Sequence, residues 1–213
     1  MKKNILIVPG DGIGQEVTAV GKKVLDKIAE KFGHEFQYDE ALIGHVAIEA
    51  TGSPLPDETL VKMKASDAIL FGAVGHPKYD NDPTAKVRPE QGLLKMRKEL
   101  GLYANLRPIK LFDELLDASS IKSEILRGAD ILFFRELTGD IYFGEKGRKN
   151  DGNTAYDVAE YSRFEVERIA RKAFDAARTR RKKICSVDKA NVIETSRLWR
   201  EVIQKIALEY PDI

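Results

Sequence analysis

Short apolar, β-branched runs alternate with segments of helical periodicity along this chain, and that alternation constrains its fold more than any other feature. Residues 5–9 (Ile-Leu-Ile-Val-Pro) read as a buried strand that ends in the turn Gly10-Asp11-Gly12-Ile13-Gly14. Over residues 15–32, Val17, Val20, Val24, Leu25 and Ile28 recur at helical spacing. A weaker strand is expected over 36–42, a short helix from 54 to 63, and a buried strand over 68–75. A polar loop follows at 76–89, and then a helix over 90–100 that stops at Gly101. Strands separated by helices imply an α/β fold with a largely parallel sheet.

Near residues 103–111 the chain leaves this first unit. Residues 131–135 read as another buried strand, 140–144 as half of a hairpin and 145–154 as a loop. A long amphipathic helix over 158–181, a strand over 183–187 and a final helix over 194–210 complete the reading. That last helix turns Leu198, Trp199, Val202, Ile203 and Ile206 inward.

Bulk properties exclude several classes. Of the 213 residues, 43% are hydrophobic and 32% charged, so a packed core is expected rather than disorder. The net charge of +1 argues against nucleic acid or an anionic membrane as the main partner. No apolar stretch reaches the roughly 18 residues of a membrane span. The single cysteine, Cys185, excludes an internal disulfide and sits in an apolar run, where a core position is expected. These features suggest a cytoplasmic globular protein. His34, His45 and His76 lack metal-ligand spacing, and the basic run 178–183 reads as a solvated helix end.

Three arginines point to chemistry: Arg97 in Leu-Leu-Lys-Met-Arg, Arg107 in Asn-Leu-Arg-Pro, and Arg135 in Phe-Arg-Glu-Leu-Thr-Gly-Asp. A guanidinium binds a carboxylate through paired hydrogen bonds, so three of them suit a small molecule with more than one carboxylate. Glu90, Leu93, Leu94 and Arg97 share one helix face, which fits a ligand with both a branched alkyl group and a carboxylate. The competing reading makes Leu93, Met96 and Leu100 core, with Arg97 reaching out to water. Tyr142 follows Arg135 by seven residues, and Lys189 ends the expected strand at 183–187; together they offer a proton path. A purely structural reading pairs Arg135 with Glu136 or Asp140, and Lys189 with Asp188. The glycine turn breaks the dinucleotide pattern G-x-G-x-x-G, because Gln15 occupies the last required glycine.

Taken jointly, several segments closely resemble the β-decarboxylating isocitrate/isopropylmalate dehydrogenases. They are Gly10 to Glu16, Gly72 to Gly75, Arg88 to Arg97, Asn105 to Pro108, Arg135 to Glu145, Asn153 to Asp157 and Asp188 to Val192. The resemblance implies two α/β domains around a central cleft, distinct from the common Rossmann fold. The first domain would include residues 1–103 and be completed by chain beyond Ile213; the second would span 104–213, with a dimer arm near 138–157. It implies NAD-dependent oxidative decarboxylation of 3-isopropylmalate to 2-oxo-4-methylpentanoate in leucine biosynthesis, by a homodimer that uses Mg²⁺ or Mn²⁺. Tartrate, D-malate or homoisocitrate as substrate, or a fragment without turnover, remain alternatives. Arg97, Arg107 and Arg135 match the family's carboxylate ligands, and Tyr142 and Lys189 its acid–base pair, with Lys189 reaching the partner's site. Leu93, Leu94 and Val192 match the pocket for the alkyl group. Ile13, Asn191 and the segment from Gly75 to Glu90 match the cofactor side. The family's metal-binding aspartates match no position here.

Overall fold

A computed structural model describes residues 1–82 and 84–213; Pro83, within the expected loop 76–89, lies outside the described residues. The chain divides into two compact units, Met1–Gly101 and Leu102–Ile213.

Unit 1 contains β1 (Lys2–Gly10), α1 (Gly14–Phe32), β2 (Glu35–Glu40), α2 (His45–Thr51), α3 (Asp57–Ala65), β3 (Ala68–Ala73), a single turn α4 (Pro77–Asp80) and α5 (Pro89–Glu99). Its three strands are parallel in the order β2-β1-β3, with Ile5 opposite Tyr38 and Val8 opposite Phe71. The central strand is covered on both faces, so Ile5, Leu6, Ile7 and Val8 are all buried. Leu6 and Val8 join Ile43, Leu55, Met63 and Met96 in the core, against which Leu93 and Leu100 pack. Small residues let α1 approach the sheet: Thr18 is buried, and a Cβ on Gly21 would touch Leu70 at 3.4 Å. The opposite face of α1 is also apolar, and there Val17, Val20, Val24 and Ile28 are exposed. Gly33 ends the helix in the left-handed conformation (φ 64°) and donates its N–H to the Ala29 carbonyl.

Unit 2 contains β4 (Ala104–Lys110), a 3-10 segment at Asp113–Ala118, a single turn α6 (Ser123–Leu126), β5 (Asp130–Glu136), a 3-10 turn at Asp140–Tyr142, β6 (Lys146–Lys149), β7 (Thr154–Asp157), α7 (Arg163–Arg178) and α8 (Glu194–Ala207). β4 and β5 form an antiparallel pair with Arg107 opposite Phe133 and Asn105 opposite Arg135. α7 and α8 pack through Val166, Ala170, Phe174, Val202 and Ile206, with Tyr210 closing the cluster.

Several local expectations need correction. Residues 140–144 are not half of a hairpin: Asp140–Tyr142 form a 3-10 turn, because Asp140 takes φ 65° and breaks the run. The expected loop at 145–154 contains β6 and leads into β7, joined through Asn150, Asp151 and Gly152, all at positive φ. α7 starts at Arg163, not near Val158, because Ser162 and Glu165 form a capping box. Residues 183–187 form no strand, and Cys185 is exposed rather than core. A strand needs a neighbour to take up its backbone groups, and the described sheets of this unit are two separate pairs, β4–β5 and β6–β7, neither of which includes residues 183–187. The basic run is also less free than expected: Arg178 pairs with Asp212 at 3.1 Å and Arg180 with Asp130 at 3.0 Å.

Candidate active site

Antiparallel pairing sets the arginines of unit 2. Residues directly opposite share a face, as do residues two apart on one strand. Arg107, Asn105, Phe133 and Arg135 therefore project from the same side of the β4–β5 pair. They border a cavity of about 610 Å³, which is also lined by Asp140, Tyr142, Tyr161, Asp188 and Trp199. Arg107 donates from Nε to Asn105 Oδ1 at 2.6 Å, which steers its guanidinium along the strand. Arg135 donates from Nη2 to the Tyr142 hydroxyl at 3.0 Å, and its guanidinium carbon lies 5.4 Å from the Tyr142 ring centre. Among the described residues, neither Arg107 nor Arg135 has a carboxylate at ion-pair distance. Both thus present charge to the cavity.

The loop between Arg135 and Tyr142 is held by Glu136. Its buried carboxylate accepts from Thr138 N (2.7 Å), Thr138 Oγ1 (2.6 Å), Gly139 N (2.8 Å) and Arg168 Nη2 (3.0 Å). Arg168 also donates to Thr138 Oγ1 and stacks over the rings of Tyr103 and Phe164. Gly139 is required here, since a Cβ would lie 2.7 Å from the Tyr161 ring. Burial, followed by the charge of Asp140, pushes the Tyr161 hydroxyl well above the usual phenol range. Arg168 and Tyr161 escaped the sequence reading, and Glu136, there a possible partner of Arg135, pairs with Arg168 instead. Only the Glu-x-Thr-Gly spacing signals a carboxylate folding back on its own turn; no spacing connects it to Arg168.

The remaining predicted residues lie elsewhere. Asp188 lines the cavity but is gripped by Arg200, with Nε to Oδ2 at 3.0 Å and Nη2 to Oδ1 at 2.6 Å. That bond, with one from Ala190 N, holds the Asp188 carboxyl below the usual carboxylate range. Lys189 is exposed and is not part of the cavity wall; its carbonyl accepts from Val192 N and Ile193 N. Asn191 and Val192 are likewise exposed on that turn. In unit 1, Arg97 sits in the last turn of α5; Leu93 packs on the core, and Leu94 is half-buried.

Asp11 organises the third group. Buried between two glycines, it accepts from His45 N (2.9 Å), Val46 N (3.1 Å) and Gly75 N (2.9 Å). It thereby joins the loops after β1, β2 and β3. Gly75 lies beside Glu90, whose Oε1 would be 3.3 Å from an added Cβ, and Ile13 is exposed at the start of α1. Two glycines of this turn meet backbone: a Cβ on Gly10 would lie 2.0 Å from Ala73 O, and one on Gly14 would lie 2.1 Å from Pro9 O, whereas one on Gly12 would meet open space. Gly10 and Gly14 thus serve close strand–helix packing. The described residues do not fit a metal ion, since no three His, Cys, Asp or Glu side chains converge. Two of the three acids bordering the cavity are committed: Glu136 to Arg168 and Asp188 to Arg200.

Comparison with known proteins now decides the family. Residues 4–213 match the family described as isocitrate/isopropylmalate dehydrogenase. The chain belongs to the isocitrate/isopropylmalate dehydrogenase family. It is 56% identical to the 3-isopropylmalate dehydrogenase of Rhodopirellula baltica over all of this chain and 60% of the relative. It is 55% identical to that of Shouchella clausii over all of this chain and 59% of the relative. Among solved structures, the isocitrate dehydrogenase of Methylococcus capsulatus superimposes with a TM-score of 0.79 at 33% identity, over 99% of this chain and 58% of that one. The chain thus spans about 60% of the length of the curated dehydrogenases it matches. Within this dehydrogenase family fold, no described helix is long and apolar enough to cross a membrane.

Proposed function

We propose that this chain forms part of a site for NAD-dependent oxidative decarboxylation of a branched 2-hydroxy dicarboxylate of the 3-isopropylmalate type, acting as a homodimer in leucine biosynthesis. The observation that carries this reading is the grouping of Arg107, Arg135 and Tyr142 on one cavity wall, with Arg135 bonded to the tyrosine hydroxyl. Identity above 50% to proteins named 3-isopropylmalate dehydrogenase supports the same substrate.

In this reading Arg107 and Arg135 grip substrate carboxylate, since two fixed guanidinium forks both attract and orient it. By the family resemblance, Arg97 would also bind substrate carboxylate. Tyr142 delivers a proton to the carbon left after CO₂ departs, and the guanidinium beside its hydroxyl stabilises the negative charge that remains. Lys189 receives the substrate hydroxyl proton in the site of a partner subunit. Leu93, Leu94 and Val192 prefer an alkyl group because a charge against them would be desolvated and unpaired. By the family resemblance, Ile13, Gly75, Glu90 and Asn191 would be the residues on the cofactor side. A bound nicotinamide cofactor would supply the hydride acceptor and a divalent metal would supply a Lewis acid; the described residues converge in no metal cage, so no step is assigned to them there.

The test is an NADH-formation assay with 3-isopropylmalate and Mg²⁺, paired with substrate binding followed by the fluorescence of Trp199, the only tryptophan. Saturable quenching that disappears in Arg135→Gln supports the reading. Quenching by 3-isopropylmalate that is unchanged in Arg107→Gln and Arg135→Gln rejects it.

A further inference from the structure

Asp140 stands out in the cavity wall. It is a non-glycine residue at φ 65°, a conformation that glycine adopts without cost and that aspartate tolerates only locally. Its backbone is pinned there: its N–H donates to Glu160 O at 2.8 Å, and its carbonyl accepts from Phe143 N and Gly144 N. A sparsely populated backbone conformation at a site invites a functional explanation. Here the side chain supplies one, because Asp140 borders the same cavity as Arg107 and Arg135 and its charge acts on the Tyr161 hydroxyl in that wall.

The charges around the cavity can be matched. Glu136 is neutralised by Arg168 and Asp188 by Arg200. Arg107 and Arg135 bond instead to the neutral Asn105 and Tyr142. Among the described lining residues Asp140 then carries the one carboxylate without an ion pair, on the wall that also holds the two guanidinium groups. Without it, this wall would offer two positive charges to any anion.

We propose that Asp140 is a specificity-determining residue that limits how many carboxylates this wall accepts, favouring a dicarboxylate over a tricarboxylate. The inference rests on the reading that the cavity binds a carboxylate substrate. Repulsion from Asp140 acts on each ligand carboxylate, so its effect grows with ligand charge. A merely structural aspartate would change affinity for all ligands alike, or for none.

The experiment uses the whole 213-residue chain and reads Trp199 quenching by lactate, malate and isocitrate, which carry one, two and three carboxylates. Asp140→Asn keeps the shape and tolerates the backbone conformation; Asp140→Gly removes the side chain and any strain. Both variants should bind more tightly, by roughly threefold per ligand carboxylate at low salt, with the largest gain for isocitrate. The gain should shrink as ionic strength rises. If binding is lost in Arg135→Gln yet unaffected by Asp140→Asn, or if the gain does not rise with ligand charge, this inference is overturned and the proposed function survives. If isocitrate, malate and 3-isopropylmalate all bind neither the parent chain nor its variants, both fall.

Discussion

Arg135 and Tyr142, seven residues apart, meet through a 3.0 Å hydrogen bond from a guanidinium nitrogen to a phenol oxygen. The contact exists because β5 ends at Glu136 and the 3-10 turn at Asp140–Tyr142 folds the chain back over the strand's penultimate residue. A phenol held against a fixed cation is oriented before any ligand arrives.

That pairing separates binding from chemistry. Arg135→Lys keeps the charge but loses the planar fork, and it should weaken 3-isopropylmalate binding by roughly tenfold. Tyr142→Phe should bind substrate nearly as well, yet lower turnover by about 10²- to 10⁴-fold where turnover is measured. Quenching titrations of Trp199 beside steady-state NADH formation check both; equal loss of affinity in the two variants would reject the division of roles.

Glu136 should matter more to folding than its sequence neighbours suggest. Glu136→Gln keeps the size but turns one acceptor oxygen into a donor facing other donors, and it leaves Arg168 without its counter-ion. A loss of about 2–4 kcal/mol is expected for unit 2. Urea unfolding monitored at Trp199 measures it, and Asp113→Asn on an exposed segment is the control expected to be silent.

Acid should loosen the same unit. Hydrogen bonds from Arg200, Arg171 and Arg178 hold Asp188, Glu209 and Asp212 below their usual range. A carboxyl depressed in the folded state contributes stability above its unfolded value. That contribution fades as pH falls from about 4 through the lower folded value. The urea midpoint read at Trp199 should thus be flat from pH 7 to 5 and fall below about pH 4. Arg200→Gln should lessen that fall, because it removes the larger of the two bonds that depress Asp188 and leaves only the one from Ala190 N.

Much of this architecture was legible in the residues because the relevant forces are local. The run at 5–8 is apolar throughout and becomes the doubly covered β1, and the Val17–Ile28 periodicity becomes α1. The same periodicity misleads about which face is buried: glycine and threonine approach the sheet, while the valines face outward. Leu93 shows a similar ambiguity, because apolar spacing cannot distinguish a core contact from a ligand contact. The β6–β7 turn was readable from Asn-Asp-Gly, which tolerates positive φ. The unformed strand at 183–187 was not, because β-propensity without a pairing partner leaves backbone groups to solvent. The shared wall of Arg107 and Arg135 depends on strand register, and the Glu136–Arg168 pair spans 32 residues. Neither relation has a spacing rule.

Asp11 tests how strongly one buried acid can bind three loops. It takes N–H bonds from residues after β2 and β3 while its own N–H donates to Ala73 O at 2.7 Å. A Cβ on Gly44 would strike Asp11 Oδ2 at 2.3 Å, so the loop after β2 is built closely around this carboxylate. Asp11→Ala removes the acceptor and leaves three inward-facing N–H groups to find water. With about 1–3 kcal/mol for each orphaned donor and partial relief from solvent, a loss near 3 kcal/mol is expected for unit 1. Asp11→Asn keeps one acceptor oxygen and should lose about half as much. Hydrogen exchange at His45, Val46 and Gly75 reads the effect directly. Protection should collapse at all three amides together in Asp11→Ala, while the amides of α7 keep theirs; if the three respond independently, the carboxylate is not what joins these loops.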